Sequence, residues 1–221
     1  MQVIHRMLRS VDRVQTRWAC SVPLPVRDAY SVQQWRLKGG PLPPPHALKA
    51  HTVRKYAKQF GVSTFIETGT YLGDMVTAVY DTFETIFSIE LDMSLYTQAR
   101  AKFAASPKVH ISQGDSSTIL NQILPRLKGP CLFWLDAHFS GGITARTNRD
   151  TPVVQELECI FACGSVEPVI LVDDARLFRH DQKDPILDEY WPSLDDLEKL
   201  VRARRRDYVY YIKDDIIRIH L

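Results

Sequence analysis

Several features are missing from this 221-residue chain, and each absence removes a class of protein. No apolar run reaches the length that crosses a bilayer. The N-terminus carries Arg6, Arg9, Arg13 and Arg17 against one acid, Asp12, in the manner of an organellar transit peptide, yet it lacks the apolar core of a secretory leader. It reads as a helical extension packed on the domain. Neither charge is in surplus: 28 Lys and Arg stand against 26 Asp and Glu, a net of +2, too little to mark a nucleic-acid surface. The basic cluster RARRRD, Arg202 to Asp207, ends a helical stretch, where cations complement the helix dipole. Four cysteines, Cys20, Cys131, Cys159 and Cys163, show neither C-x-x-C spacing nor a disulfide framework, which points away from zinc and toward a reducing cytoplasm. Repeats and low-complexity tracts are absent too.

What is present is an ordinary globular composition, 45% hydrophobic and 24% charged, long enough for one α/β domain with an elaboration at one end. The stretch KGGPLPPPH, Lys38 to His46, forces an extended connection. It divides residues 1–45, a helical extension with a Pro-rich linker, from a domain over 46–221. Beyond it, Ala47 to Phe60 has helical spacing and stops at Gly61. Strands STFIE, TIFSIEL, KVHISQGD, PCLFWLDAH and EPVILVDDA then alternate with helices GDMVTAVYDTF, MSLYTQARAKFAAS, STILNQILPRL and TPVVQELECIFAC. In the last of these helices Thr151 reads as N-cap and Pro152 as the first helical residue. Such alternation predicts a doubly wound, mainly parallel sheet of Rossmann type with helices on both faces. LDDLEKLVRARRR adds a helix, and YVYYIKDDIIRIHL turns at Lys213 to Asp215 as a hairpin, closing a seven-stranded sheet.

The turn after the first strand, FIETGTYLGD, puts an acid, Glu67, where a dinucleotide site wants the first glycine of G-x-G-x-x-G. An acid repels pyrophosphate. It suits a ligand that is itself cationic, such as S-adenosylmethionine with its sulfonium and amino groups. Glu67, Gly69, Thr70, Tyr71 and Gly73 therefore form a candidate cofactor turn. Glu90 closes the second strand about 23 residues after Glu67, the separation at which α/β nucleotide sites place a carboxylate on ribose. Asp115 and Ser116 follow the third strand, placed to read an adenine edge. Asp136 and His138 are two apart at the end of the fourth strand and share a direction. Asp173 and Asp174 end the fifth. Three carboxylates crowded at one place call for an oxygen-loving cation: magnesium, manganese or calcium.

The order E-T-G-T-x-x-G, S-I-E-L, Q-G-D-S, W-L-D-A-H resembles that of class I S-adenosylmethionine-dependent methyltransferases, over roughly Ala47 to Leu221. The resemblance implies that Glu67, Gly69 and Gly73 line the methionine side of the donor, Glu90 the ribose, and Asp115 with Ser116 the adenine, with Asp136 also on the donor side. The carboxylates are similar to those of metal-dependent O-methyltransferases acting on sugar or catechol hydroxyls. Carried over by position, Asp136, Asp173 and Asp174 would hold Mg2+ or Mn2+, with Asp136 also catalytic and His138 the general base, a role suited to imidazole. The insertion FSGGITARTNRD, Phe139 to Asp150, reads as a lid, and its Arg146 and Arg149 suit an anionic substrate. Trp134 reads as core, while Trp191 could be core or a stacking surface. The implied function is O-methylation of a saccharide or other small-molecule hydroxyl in the cytoplasm, without nucleic acid or membrane span; a homo-oligomer stays open. Two alternatives compete: an NAD-dependent sugar oxidoreductase or epimerase, and a silent domain that binds S-adenosylmethionine or a glycan.

Overall fold

The computed structural model describes residues 24–137, 151–179 and 191–221, and residues 1–49 and 50–221 form two compact units. In the first unit, helix α1 (Leu24–Leu37) ends in a turn through Gly39 and Gly40, and Trp35 Nε1 donates to the Pro41 carbonyl at 2.6 Å. The reading of residues 1–23 as helix-prone falls outside the described residues. After the prolines comes α2 (His46–Phe60).

The second unit is built on one sheet. In chain order the strands are β1 (Thr64–Thr68), β2 (Thr85–Glu90), β3 (Val109–Gln113), β4 (Gly129–Leu135), β5 (Val166–Val172), β6 (Val209–Lys213) and β7 (Ile216–His220). In space they run β3-β2-β1-β4-β5-β7-β6, seven strands of which the first five in chain order are parallel, while β7 is antiparallel to both neighbours. The hairpin turns on Asp214 and Asp215, at φ 54° and 60°, the left-handed pair that a two-residue turn needs to follow the sheet's twist. Helices α3 (Asp74–Val79), α4 (Met93–Lys102), α5 (Ser116–Ile123), α6 (Val153–Ala162) and α7 (Leu194–Arg204) complete the layers.

Alternation along the strands makes two cores. Phe65, Ile86, Leu132, Trp134, Leu171 and Ile216 pack with Val53, Tyr56 and Ala57 of α2 and with Met75, Val76 and Val79 of α3. On the opposite face Ile66, Ile89, Phe133, Ile170 and Ile219 meet Leu120 and Ile123 of α5, Leu157 and Ile160 of α6, and Leu197 and Val201 of α7. With both faces covered, the parallel strands need continuous apolar sequence rather than strict alternation, as FIET and LFWL supply. Trp134 is core. So is Trp191, whose ring meets Phe178 edge-on with centroids 5.1 Å apart.

Several helices are bounded differently from the sequence reading: α4 stops at Lys102, short of Ser106, and α5 runs Ser116–Ile123 before a 3-10 turn at Leu124–Arg126. The run GDMVTAVYDTF breaks after Val79 into a 3-10 turn, Tyr80–Thr82. Its end is tied from outside the helix, because Lys108 Nζ donates to the carbonyls of Tyr80 (2.6 Å) and Phe83 (3.0 Å). Helix α6 starts at Val153 with Pro152 as N-cap, one residue later than expected; the Thr151 hydroxyl still accepts from Val153 N–H at 3.3 Å.

Candidate functional site

Strand order reverses between β1 and β4, and α/β sheets open a ligand crevice at the carboxyl ends of strands around such a point. Glu67 lies at that end of β1, 2% exposed. Ser88 on β2, its register partner, donates its hydroxyl to Glu67 Oε2 at 2.5 Å, and Thr70 Oγ1 lies 2.6 Å from Ser88 Oγ. Since the one Ser88 proton is given to Glu67, Thr70 donates to Ser88, a buried chain from the loop back to the acid. Among the described residues no cation pairs with Glu67. Burial pushes its carboxyl up to about 8; the Ser88 bond works against that rise, the charges of Glu90 and Asp74 add to it, and distant Lys102 lowers it slightly.

Glu90, also buried, is held by the backbone: Oε2 accepts from Tyr71 N–H at 2.7 Å and Oε1 from Asp92 N–H at 2.9 Å. It thereby fixes Tyr71 in a left-handed conformation, φ 47°, leaving that ring exposed at the lip of the crevice. Each Glu90 oxygen can accept one further hydrogen bond. Gly69, at φ 85°, is required by close approach, because a Cβ there would come within 2.6 Å of the Asp136 carbonyl. Gly73, at φ 69°, has a packing reason as well. A Cβ there would meet the Phe103 ring at 2.7 Å, so its bareness serves helix packing. Asp115 is first a helix cap: Oδ1 accepts from Thr118 N–H at 3.0 Å and from the Ser117 hydroxyl at 2.6 Å. Burial opposes its ionisation, but those hydrogen bonds outweigh burial and hold the carboxyl below its usual range. Ser116 starts α5 with its side chain buried.

The third group is acidic. Asp136, half-buried, and Asp173 and Asp174, both buried, each place a carboxylate oxygen within 4.8 Å of the others. Backbone bonds set this spacing: Asp136 N–H donates to Thr68 O and Asp173 N–H to Leu135 O, each at 3.0 Å. Asp174 is left-handed, φ 54°. The span matches oxygens sharing one ion at 2.0–2.6 Å. Arg176 NH1 donates to Asp174 Oδ1 at 2.7 Å and also pairs with Asp215 of the β6–β7 turn, whose Oδ1 accepts from Arg176 N–H at 2.7 Å. Three carboxylates at that spacing are a donor set of the kind a divalent cation takes. His138, Phe139 to Asp150 with Arg146 and Arg149, and Tyr190 lie outside the described residues.

Three buried or bonded residues escaped the sequence reading. Ser88 is an ordinary residue inside a strand, and no pattern flags it. Asp215 is legible only as a turn residue. Glu156 carried a signal, because it is an acid on the apolar face of α6, in step with Val153, Leu157 and Ile160, and it is 1% exposed.

No protein-family model and no curated protein sequence matches the chain. Solved structures do. An O-methyltransferase of Bacillus cereus in complex with SAH aligns at TM-score 0.59 and 13% identity, covering 94% of this chain and 96% of that one. The SAH-bound methyltransferase PaMTH1 of Podospora anserina gives 0.56 and 16%, covering 96% and 95%. The O-methyltransferase TomG of Streptomyces achromogenes, in complex with SAM, gives 0.57 and 14%, covering 95% and 93%. At such identities the likeness is one of fold: this chain has the Rossmann-like class I methyltransferase fold, with the antiparallel β5-β7-β6 edge.

Proposed function

We propose that the protein is an S-adenosylmethionine-dependent O-methyltransferase acting on a hydroxyl of a small molecule, with a saccharide as the favoured acceptor class and a divalent ion assisting. The observation that carries this reading is Glu67, a buried carboxyl without a cationic partner among the described residues, at the switch point of the sheet. Such a group disfavours a pyrophosphate when ionised and gains from a positive ligand, which draws it toward its charged form. That weighs against the oxidoreductase reading, as does the missing glycine fingerprint. Bound there, S-adenosylmethionine would supply an electrophilic methyl on a charged sulfur. The chain's own part is to orient: Glu67 faces the positive end, Glu90 offers its remaining lone pairs to the ribose, and Asp115 with Ser116 borders the adenine. Holding donor and acceptor in one geometry removes much of the entropic barrier to transfer.

Asp136, Asp173 and Asp174 would hold Mg2+ or Mn2+, which lowers the pKa of an oxygen bound to it. His138, two residues after Asp136, is our candidate for the base that takes the acceptor's proton. The free thiols of Cys131, Cys159 and Cys163 accord with a reducing compartment, the cytoplasm in our reading. No helix among the described residues is long and apolar enough to cross a membrane.

Calorimetry with S-adenosylmethionine, S-adenosylhomocysteine and NAD tests the donor assignment. Micromolar binding of the first two and none of NAD is expected, and the reverse pattern refutes it. Methyl transfer to a panel of sugars and phenols, with and without EDTA, then tests turnover and metal. Donor binding without turnover on any acceptor would favour the silent-domain alternative.

A further inference from the structure

Arg176 is a cation shared between two acids. It stands on the 3-10 turn Ala175–Phe178 that follows β5, and its Nη1 lies 2.7 Å from Asp174 Oδ1, in the carboxylate cluster. The same nitrogen pairs with Asp215 Oδ2 in the β6–β7 turn, outside the cluster. It carries two protons, one for each acid. Asp215 grips this segment twice more: its Oδ1 accepts from Arg176 N–H at 2.7 Å and its carbonyl from Ala175 N–H at 2.8 Å. The Asp215 side chain is 2% exposed and that of Arg176 29%, so the acid is fixed while the guanidinium reaches water. Asp173 and Asp174 are both more than nine-tenths buried, and carboxylates so placed need a counter-charge. At Asp174 the guanidinium supplies one. A divalent ion held by the same carboxylate would repel it.

We infer that Arg176 is a resident counter-ion that gives up Asp174 when a divalent cation binds, and that Asp215 is the positioning residue that retains it. The inference rests on the metal part of the proposed function. Because Nη1 already bonds Asp215, leaving Asp174 breaks one pair and keeps the other, and buried Asp215 is never stripped of its cation. The two backbone bonds of Asp215 hold the turn in place while the side chain shifts. Without the Asp215 charge, the guanidinium would serve Asp174 alone. Releasing it would then cost more, and the cation would bind more weakly.

The probe is Mn2+, its free fraction read by electron paramagnetic resonance in wild type, Arg176→Gln, Asp215→Asn and the double variant, with thermal unfolding of each. Asparagine tolerates the left-handed φ of 60° at position 215 and keeps an acceptor for Arg176 N–H. Arg176→Gln should lower the Mn2+ Kd about tenfold. Losing a negative charge nearby weakens Mn2+ binding by itself, by the same factor whatever stands at position 176, so the double-mutant cycle isolates what runs through Arg176. Asp215→Asn should raise the Kd about tenfold more with Arg176 in place than in the Arg176→Gln background. Equal factors in the two backgrounds overturn the inference. So does an Arg176→Gln protein that binds Mn2+ no more tightly than wild type, which would leave Arg176 merely holding the Asp174 carboxylate in place. Binding by neither wild type nor Arg176→Gln overturns the metal reading itself, and this role with it.

Discussion

Replacing Glu67 with glutamine removes a titrating carboxyl while keeping a group that can accept the Ser88 hydroxyl proton. With its pKa raised to about 8, the wild-type carboxyl is about nine-tenths protonated at pH 7. A cationic donor binds best when that proton leaves, so binding at pH 7 should release about 0.9 proton more from wild type than from Glu67→Gln. The ratio of their affinities for S-adenosylmethionine should climb about tenfold from pH 7 to 9 as the ionised fraction grows. Calorimetry in two buffers of different ionisation enthalpy counts the protons, and the comparison with glutamine cancels every other titrating group. The sign for stability is the reverse. The folded pKa lies above the ordinary value of 4.5, so stability from this group is complete below pH 4.5 and lost as pH rises toward 8. At about 1.4 kcal/mol per unit, wild type should lose about 3 kcal/mol between pH 4.5 and 7 that Glu67→Gln does not lose. Equal proton counts for the two proteins, with parallel stability curves, would refute the idea that a buried neutral acid awaits a cation at this position.

Gly69→Ala should cost about 2–3 kcal/mol in denaturant unfolding and weaken donor binding, since the new Cβ meets the Asp136 carbonyl at 2.6 Å on a backbone at φ 85°. Asp115→Asn retains a capping oxygen and should unfold within about 0.5 kcal/mol of wild type, whereas Asp115→Ala should lose about 1 kcal/mol. Removing the guanidinium in Arg176→Gln should tighten Mn2+ binding, read by electron paramagnetic resonance, and should lower the unfolding midpoint by breaking its pairs to Asp174 and Asp215.

Sheet and crevice were legible because their signals are local and repeated. Short apolar runs bounded by turns name the strands, and an acid or Gly-rich turn at each strand end names the crevice. FIETGTYLGD gave the position of Glu67, though not that Ser88 and Thr70 would hold it, because register pairing is invisible in one strand read alone. At Gly73 the motif suggested ligand contact; the Phe103 ring, 30 residues away in sequence, adds a packing reason that the motif could not show. The carboxylates of Asp136, Asp173 and Asp174 were legible as strand-end residues. Their partner Asp215 was not, since only the reversal of β7 brings the hairpin turn beside β5.

Strand β7 is the last of the seven to be synthesised, yet it lies between β5 and β6 and alone joins them. A nascent chain on the ribosome can pair the five parallel strands, but β6 has nowhere to dock until translation has passed His220. Until then the outer side of β5 is an open template for other chains, and Asp174 has no turn against which Arg176 can brace. A reporter fused after residue 208 should therefore show a protein that aggregates, while one fused after Leu221 should not.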